Sequence, residues 1–195
     1  MGEQIGSLRV RGAVAFIAFV VLAAIAGSGV LASADRAILD AIQTPGTDWL
    51  DLVASVINLA GPSEITGSIA LGIAIVWLRH GRRDWWTPLL IGVVVAVEVV
   101  GKTFVPHPAP PDEVSRGIFD SLGNFVAAPT PYAFPSGHAA RVAFLVTVTR
   151  APLPLGAAIA LTMAICKIYL GDHWPSESLG GLLLGFSVGA LARRT

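Results

Sequence analysis

Charged and hydrogen-bonding residues lie at the ends of apolar stretches in three separate parts of this chain. The stretches are GKTFVPHPAP at 101–110, AFPSGHAARV at 133–142 and CKIYLGDHWPSE at 166–177. A lysine, histidine or glutamate inside hydrocarbon is costly, so such groups normally face a bundle interior or a cavity. The residues singled out in this way are Lys102, Ser136, Gly137, His138, Lys167, His173 and Glu177.

A pocket built from these residues would suit phosphoryl transfer. The two lysines can balance charge on the phosphoryl oxygens. Backbone N–H groups after Pro135, at a predicted helix start, form an anion cradle together with the Ser136 hydroxyl. One histidine can attack phosphorus as neutral imidazole while the other protonates the leaving oxygen. Glu177, four residues after His173, can hold its second ring nitrogen and fix the tautomer.

The elements that must position these residues are membrane helices. The chain of 195 residues is 54% hydrophobic and 13% charged, with a mean hydropathy of +0.71. Soluble domains usually carry about 25% charged residues. Residues 12–31 have no charge, and a helix of that length crosses a hydrocarbon core of about 30 Å. The run exceeds the h-region of a signal peptide, so the sequence predicts an integral membrane protein.

We predict an all-α membrane protein, a six-transmembrane helical bundle that forms one domain over residues 1–195. Residues 34–59 are predicted to form two short amphipathic helices at the membrane interface, broken at 44–46. Residues 107–134 form a long extracytoplasmic loop. The glycine-rich last span is expected to pack closely against a neighbour. The six spans are predicted at 12–31, 65–78, 86–105, 136–149, 153–170 and 178–192.

The distribution of basic residues predicts the topology. Eight of the 13 Lys and Arg residues lie at one end of the predicted spans. The positive-inside rule makes that end cytoplasmic, with both termini inside and the chemistry on the extracytoplasmic side. A bacterial inner membrane is the expected location. The eight residues are Arg9, Arg11, Arg79, Arg82, Arg83, Arg150, Arg193 and Arg194.

The three stretches resemble the signatures of the type 2 phosphatidic acid phosphatase family, which is related to vanadium-dependent haloperoxidases. The family signatures are a lysine followed after six residues by Arg-Pro, then Pro-Ser-Gly-His, then Ser-Arg, five residues, His, three residues and Asp. The corresponding segments here are 102–110, 135–138 and 166–177.

The resemblance implies a phosphohistidine mechanism without a metal or other cofactor. It makes His173 the nucleophile, oriented by Glu177, and His138 the acid for the leaving group. It implies a lipid phosphate as the substrate, and vanadate as a mimic of the five-coordinate transition state. The implied phosphate ligands are Lys102, Ser136, the Gly137 amide and Lys167.

The signatures also differ from the family pattern. Ala109 replaces the first arginine, and the third signature has Cys166, Lys167 and Glu177 in place of Ser, Arg and Asp. Arginine and lysine are not interchangeable where a planar fork holds phosphate. We hypothesise that Arg141, one helical turn after His138, supplies the lost guanidinium.

Three further residues are weaker candidates for the site. Arg116 on the long loop is a second candidate for the missing guanidinium. His107 lies near the site and either contacts phosphate or is a loop histidine. Glu98, one turn before Lys102, either pairs with that lysine or contacts another span.

The sequence therefore predicts a membrane lipid phosphatase that acts on a phosphate monoester or anhydride. Candidate substrates are polyprenyl diphosphate, phosphatidic acid and phosphatidylglycerol phosphate. The same residues make a phosphotransferase if an alcohol intercepts the intermediate, and altered arginines could instead leave a lipid-phosphate binding or translocating protein. The single cysteine excludes an intrachain disulfide. No basic block indicates nucleic acid as a partner, and the oligomeric state stays open.

Overall fold

The computed structural model of this protein describes residues 2–119 and 130–193. Every regular element within these ranges is helical. Two short 3-10 turns, Thr87–Leu90 and Asp112–Val114, accompany eight α-helices. The α-helices are α1 (Gly2–Gly27), α2 (Ala32–Gln43), α3 (Asp48–Asn58), α4 (Ser63–Arg79), α5 (Ile91–Phe104), α6 (Gly137–Val148), α7 (Leu153–Tyr169) and α8 (Pro175–Ala192).

Helix α6 is the centre of the bundle. Ten of its twelve residues are buried, and it packs mainly against α7 and α8, while α1 covers another face of α8. Glycines of α8 allow this packing: a Cβ on Gly185 would lie 2.0 Å from the carbonyl oxygen of Ala140, and one on Gly181 would lie 2.3 Å from that of Ser136. The predicted close packing of the last helix is therefore confirmed, since its backbone touches that of α6.

The helices fit a membrane protein, although length and composition define fewer spans than the sequence predicts. Gly6–Gly27 and Thr87–Phe104 are each long and apolar enough to cross a membrane. Asp48–Asn58 and Ser63–Arg79 make a third candidate when taken as one span bent by 48°. Helices α6 and α7 are apolar but shorter. An apolar helix lies at each of the six predicted positions, and the count of six spans and the orientation of the termini stay predictions.

Several predicted boundaries are wrong by a few residues. The first helix ends at Gly27 rather than at residue 31, because residues 28–31 form a turn in which Gly29 has a φ of +76°. A left-handed glycine just after the last helical residue is a common helix stop. The last helix begins at Pro175 rather than at residue 178, with its proline in the first turn, where a missing N–H costs nothing.

Residues 34–59 form the two predicted short helices, α2 and α3, and the break between them falls at 44–47. Helix α2 is less peripheral than expected, because Asp35 and Leu39 are buried where it packs against α7 and α8. Helix α3 contacts α7 and exposes Trp49. The loop predicted at 107–134 contains one 3-10 turn, and its residues 120–129 lie outside the described part of the chain.

Candidate active site

The connection between α7 and α8 positions His173 beside Glu177. Gly171 turns the chain after α7 with a φ of +75°, and a Cβ there would lie 2.3 Å from the carbonyl oxygen of Val114. His173 follows within two residues, and Glu177 lies in the first turn of α8. The Nδ1 atom of His173 is 2.5 Å from Oε2 of Glu177, which also accepts the N–H of Trp174. The carboxylate therefore fixes the ring and leaves Nε2 as the atom available for reaction.

Burial lowers the pKa of His173 well below its usual range, and the nearby charges of Lys167, Lys102 and Arg141 lower it further. The cause is physical, because a buried imidazole surrounded by cations resists a further positive charge. These effects favour the uncharged imidazole of His173. The same effect shows that three cations from α5, α6 and α7 act on this one ring.

Each of these cations is paired with a carboxylate. Nζ of Lys167 lies 2.5 Å from Oδ2 of Asp172, and Nζ of Lys102 lies 2.9 Å from Oε1 of Glu98. The second oxygen of Glu98 forms an ion pair with Nη1 of Arg141. Glu98 and Lys102 thus make the contact that their spacing on one helical face predicts. The Glu98 carboxylate therefore bridges Lys102 and Arg141, which are two of the cations predicted to bind phosphate.

The start of α6 lies against the same cluster. Ser136 is the N-cap residue, and its N–H donates to the carbonyl oxygen of Glu177 at 2.9 Å. Its buried Oγ has no hydrogen-bond partner among the described residues. A Cβ on Gly137 would lie 1.9 Å from Oε1 of Glu98, so a larger residue here would require the carboxylate to move. A buried hydroxyl without a partner is unusual, and a bound phosphate oxygen would satisfy it.

His138 lies in the first turn of α6, and its ring packs against Gly61 in the break between α3 and α4. Its Nδ1 lies 3.5 Å from Nη2 of Arg141. Arg141 also donates from Nε and Nη2 to the carbonyl oxygen of Gly61, at 3.2 and 3.1 Å. The guanidinium is therefore anchored by Glu98 and Gly61 in this structure. Its predicted contact with phosphate stays a prediction, and its observed contacts orient His138.

Gly61 is expected to be essential for the position of His138. A Cβ on Gly61 would lie 2.0 Å from Cδ2 of His138, so Gly61→Ala should displace the imidazole and lower phosphate release by about a hundredfold, the cost of a 1 Å misplacement. Gly67→Ala on α4 is the control, since nothing lies within 4 Å of its Cβ position. Equal phosphate release by the two variants would contradict the assignment.

Two weaker candidates have partners of their own. Arg116 donates from Nε to Oδ1 of Asp51 at 2.9 Å and lies 5.4 Å over the ring of Tyr169. The hydrogen bond with Asp51 raises the pKa of Arg116. His107 is buried, with Nε2 3.1 Å from Oγ of Ser176 and 3.6 Å from Oε1 of Glu177. Arg116 is thus engaged at α3, whereas His107 lies behind the Glu177 carboxylate.

The sequence reasoning missed three residues of this site. Asp172, which was not among the predicted site residues, is the ion-pair partner of Lys167. Its position one residue before His173 and five after Lys167 was the available signal. Gly61 and Asp35 come from the first third of the chain, where no motif marks them. Their roles depend on contacts between distant elements.

The fold and the site define a helical membrane protein with a buried cluster of lysine, arginine, histidine and carboxylate side chains. The family model of the PAP2 superfamily matches residues 83–195. The chain belongs to this superfamily, which confirms the resemblance of its three signatures. The matched part contains α5 to α8 and every candidate site residue from Glu98 to Glu177.

Two curated relatives have the same sequence identity to this chain, 29%. An undecaprenyl-diphosphatase of Sulfolobus acidocaldarius is 29% identical over 58% of this chain and 65% of its own length, just under two thirds. A decaprenylphosphoryl-5-phosphoribose phosphatase of Mycobacterium tuberculosis is 29% identical over 80% of this chain and 86% of its own length.

One solved structure has the same fold. A transmembrane PAP2-type phosphatidylglycerolphosphate phosphatase from Bacillus subtilis superposes with a TM-score of 0.75. The superposition covers 93% of both chains at 23% sequence identity. The helical arrangement described above is therefore that of a transmembrane PAP2 protein.

Proposed function

We propose that this protein is a membrane phosphatase that hydrolyses a lipid phosphate or diphosphate through a phosphohistidine on His173, without a metal ion. The observation that carries the proposal is the 2.5 Å contact between His173 and Glu177 within a group of three cations. Membership of the superfamily supports phosphatase activity in general. The contact with Glu177 supports this role for His173, because it fixes the tautomer and leaves Nε2 free to react.

The reaction follows from these contacts in two displacements. Glu177 accepts the Nδ1–H of His173, so the Nε2 lone pair can attack phosphorus and form a P–N bond. The bond from phosphorus to the leaving oxygen breaks, and His138, which enters this step protonated, gives that oxygen a proton and becomes a neutral imidazole. A water molecule then attacks the phosphohistidine, the P–N bond breaks, and His138 takes up the proton of the water. Inorganic phosphate and the dephosphorylated lipid are the products.

The phosphoryl group is held by groups whose charge matches it. Lys102, Lys167 and Arg141 balance the charge on its oxygens, and the start of α6 supplies backbone N–H groups and the unpartnered hydroxyl of Ser136. Charge stabilisation of this kind supplies most of the catalysis in phosphoryl transfer. We infer that the phosphate weakens or replaces the ion pairs that Glu98 and Asp172 make in the free protein.

The names of the relatives favour a polyprenyl lipid as the substrate. The archaeal relative is named for undecaprenyl diphosphate and the mycobacterial one for a decaprenylphosphoryl sugar phosphate. The Bacillus subtilis structure is named for phosphatidylglycerol phosphate. We therefore rank polyprenyl diphosphate and monophosphate before glycerolipid phosphates for this chain.

We place the active site on the extracytoplasmic side. Its residues lie at the C-terminal ends of α5 and α7 and near the N-terminal ends of α6 and α8, which alternate in direction as spans must. Basic residues lie at the other helix ends, where Arg82 and Arg150 both contact Asp84, at 2.7 and 3.6 Å. By the positive-inside rule that end is cytoplasmic.

Phosphate release in detergent tests the proposal. Purified protein should release phosphate from polyprenyl diphosphate with a chelator present, and more slowly from phosphatidic acid and phosphatidylglycerol phosphate. Release that disappears with the chelator would contradict metal independence. Binding of these lipids without release from any of them would instead indicate a binding or translocating protein.

A further inference from the structure

A second buried carboxylate lies behind the candidate active site. Asp35 on α2 is 3% exposed, whereas Asp40 on the same helix is exposed and paired with Arg36. Both oxygens of Asp35 are used: Oδ1 accepts the N–H of Ser176 at 2.8 Å, and Oδ2 accepts its hydroxyl at 2.7 Å. A buried charge is tolerated when it is fully hydrogen-bonded, as it is here at the positive end of α8.

His107 connects this carboxylate with Glu177. Because the hydroxyl of Ser176 donates its proton to Asp35, its oxygen must accept the hydrogen bond from Nε2 of His107 at 3.1 Å. That contact places the ring proton on Nε2. The same nitrogen lies 3.7 Å from Oδ2 of Asp35 and 3.6 Å from Oε1 of Glu177. One N–H group therefore lies between two buried carboxylates.

The surroundings of His107 act on its pKa in two opposite ways. Burial lowers the pKa of His107, against the opposite effect of the Asp35 charge. Nε2–H of His107 donates to Oγ of Ser176, and Oε1 of Glu177 lies 3.6 Å from the same nitrogen. Oε1 of Glu177 has no hydrogen-bond partner among the described residues, while Oε2 holds His173 and the N–H of Trp174. A fully buried carboxylate with a single satisfied oxygen needs an N–H donor nearby.

We propose that Asp35, Ser176 and His107 form a positioning relay that holds Glu177, and through it His173, in the reactive geometry. The inference rests on the proposed phosphohistidine chemistry. When His173 attacks phosphorus its ring gains positive charge, and the carboxyl group of Glu177 must stay aimed at Nδ1. A small shift brings Nε2–H of His107 from Ser176 into hydrogen-bond range of Oε1. No proton leaves the relay, and no relay residue touches the substrate.

The relay also explains why α2 is part of the catalytic fold. Asp35 and Ser176 are 141 positions apart in the chain, and their two hydrogen bonds pin α2 to the first turn of α8. That turn carries Glu177, so movement of α2 would tilt the carboxylate away from His173. Outer hydrogen-bond partners of reactive groups commonly act in this manner.

Substitutions in the relay test the proposal, because loss of a positioning residue should lower kcat and leave KM nearly unchanged. Asp35→Asn and Ser176→Ala should each lower kcat by roughly tenfold to a hundredfold with little change in KM, the range that loss of an outer hydrogen-bond partner costs. His107→Leu should show the same loss, and His107→Gln should recover most of it because its amide can still donate. Asp40→Asn on the exposed face of α2 is the matched control and should behave as wild type.

The outcomes separate the relay from the proposed function. Wild-type turnover together with unchanged kcat in Asp35→Asn and Ser176→Ala would overturn the relay and leave the phosphatase intact. An absence of turnover in the wild-type protein would overturn both proposals. Ser176→Ala keeps the backbone hydrogen bond to Asp35, so it remains informative where Asp35→Asn fails to fold. Equal loss in His107→Leu and His107→Gln would also contradict the relay.

Discussion

His173→Ala is expected to abolish turnover, with kcat lowered by roughly 10⁴-fold or more, the loss that follows removal of a catalytic nucleophile. A 10⁴-fold loss corresponds to about 5.5 kcal/mol of barrier. The physical reason is that, within residues 2–119 and 130–193, His173 is the histidine whose ring nitrogen is held by a carboxylate at 2.5 Å in the candidate site. The expected loss is larger than for any relay residue, because the covalent step itself disappears.

Trapping the intermediate makes this expectation specific. Wild-type protein quenched during turnover of a ³²P-labelled substrate should carry phosphate that is labile in acid and stable in base, as phosphohistidine is. His173→Ala should carry none. His80→Ala is the control, since His80 is an exposed histidine at the end of α4, and it should trap as much label as wild type. Undiminished labelling of His173→Ala would contradict the assignment of the nucleophile.

His138→Ala is expected to give the second largest effect, a loss of about 10²- to 10⁴-fold in kcat, the usual contribution of a general acid. His138 is buried, contacts Arg141 through Nδ1, and lies against Gly61 without room for a Cβ there. The imidazole is therefore held in one place. We expect that place to be beside the leaving oxygen.

The leaving group distinguishes a general acid from a structural histidine. An alkyl phosphate needs a proton on its departing oxygen, whereas a nitrophenyl phosphate leaves readily as the anion. His138→Ala should therefore slow formation of the phosphohistidine far less with the nitrophenyl ester than with a lipid monophosphate, in a single-turnover measurement of that first step. His138→Gln, which fills more of the space, should show the same pattern. Equal losses on both substrates would indicate that His138 has a structural role and is not the general acid.

The sequence by itself determined the superfamily and the order of the helices. His138, His173 and Glu177 are recognisable because they stand at the spacings of the second and third signatures. Runs without charge located the apolar helices, and glycines in the last helix indicated close packing. These are local properties, and the i,i+4 contact between His173 and Glu177 needs only one helical turn.

The ends of the helices were harder to predict from the sequence than their order. Apolar residues continue beyond Gly27, yet the helix ends there because Gly29 adopts a left-handed conformation. A hydropathy pattern describes the solvent that a segment prefers, and it does not show where the backbone turns. The hydropathy pattern likewise does not show the bend of 48° between α3 and α4. This bend creates the position from which Gly61 contacts His138 and Arg141.

Only the tertiary structure decided which distant residues complete the site. Asp35 looks like any acid on an amphipathic helix until α2 packs against the start of α8, and Asp172 looks solvated until Lys167 reaches it. The bundle also joined Arg141 and Lys102 through Glu98. Such contacts depend on how helices far apart in sequence pack together. A buried charge without a partner is costly, so the packing of the helices decides which charged side chains form ion pairs.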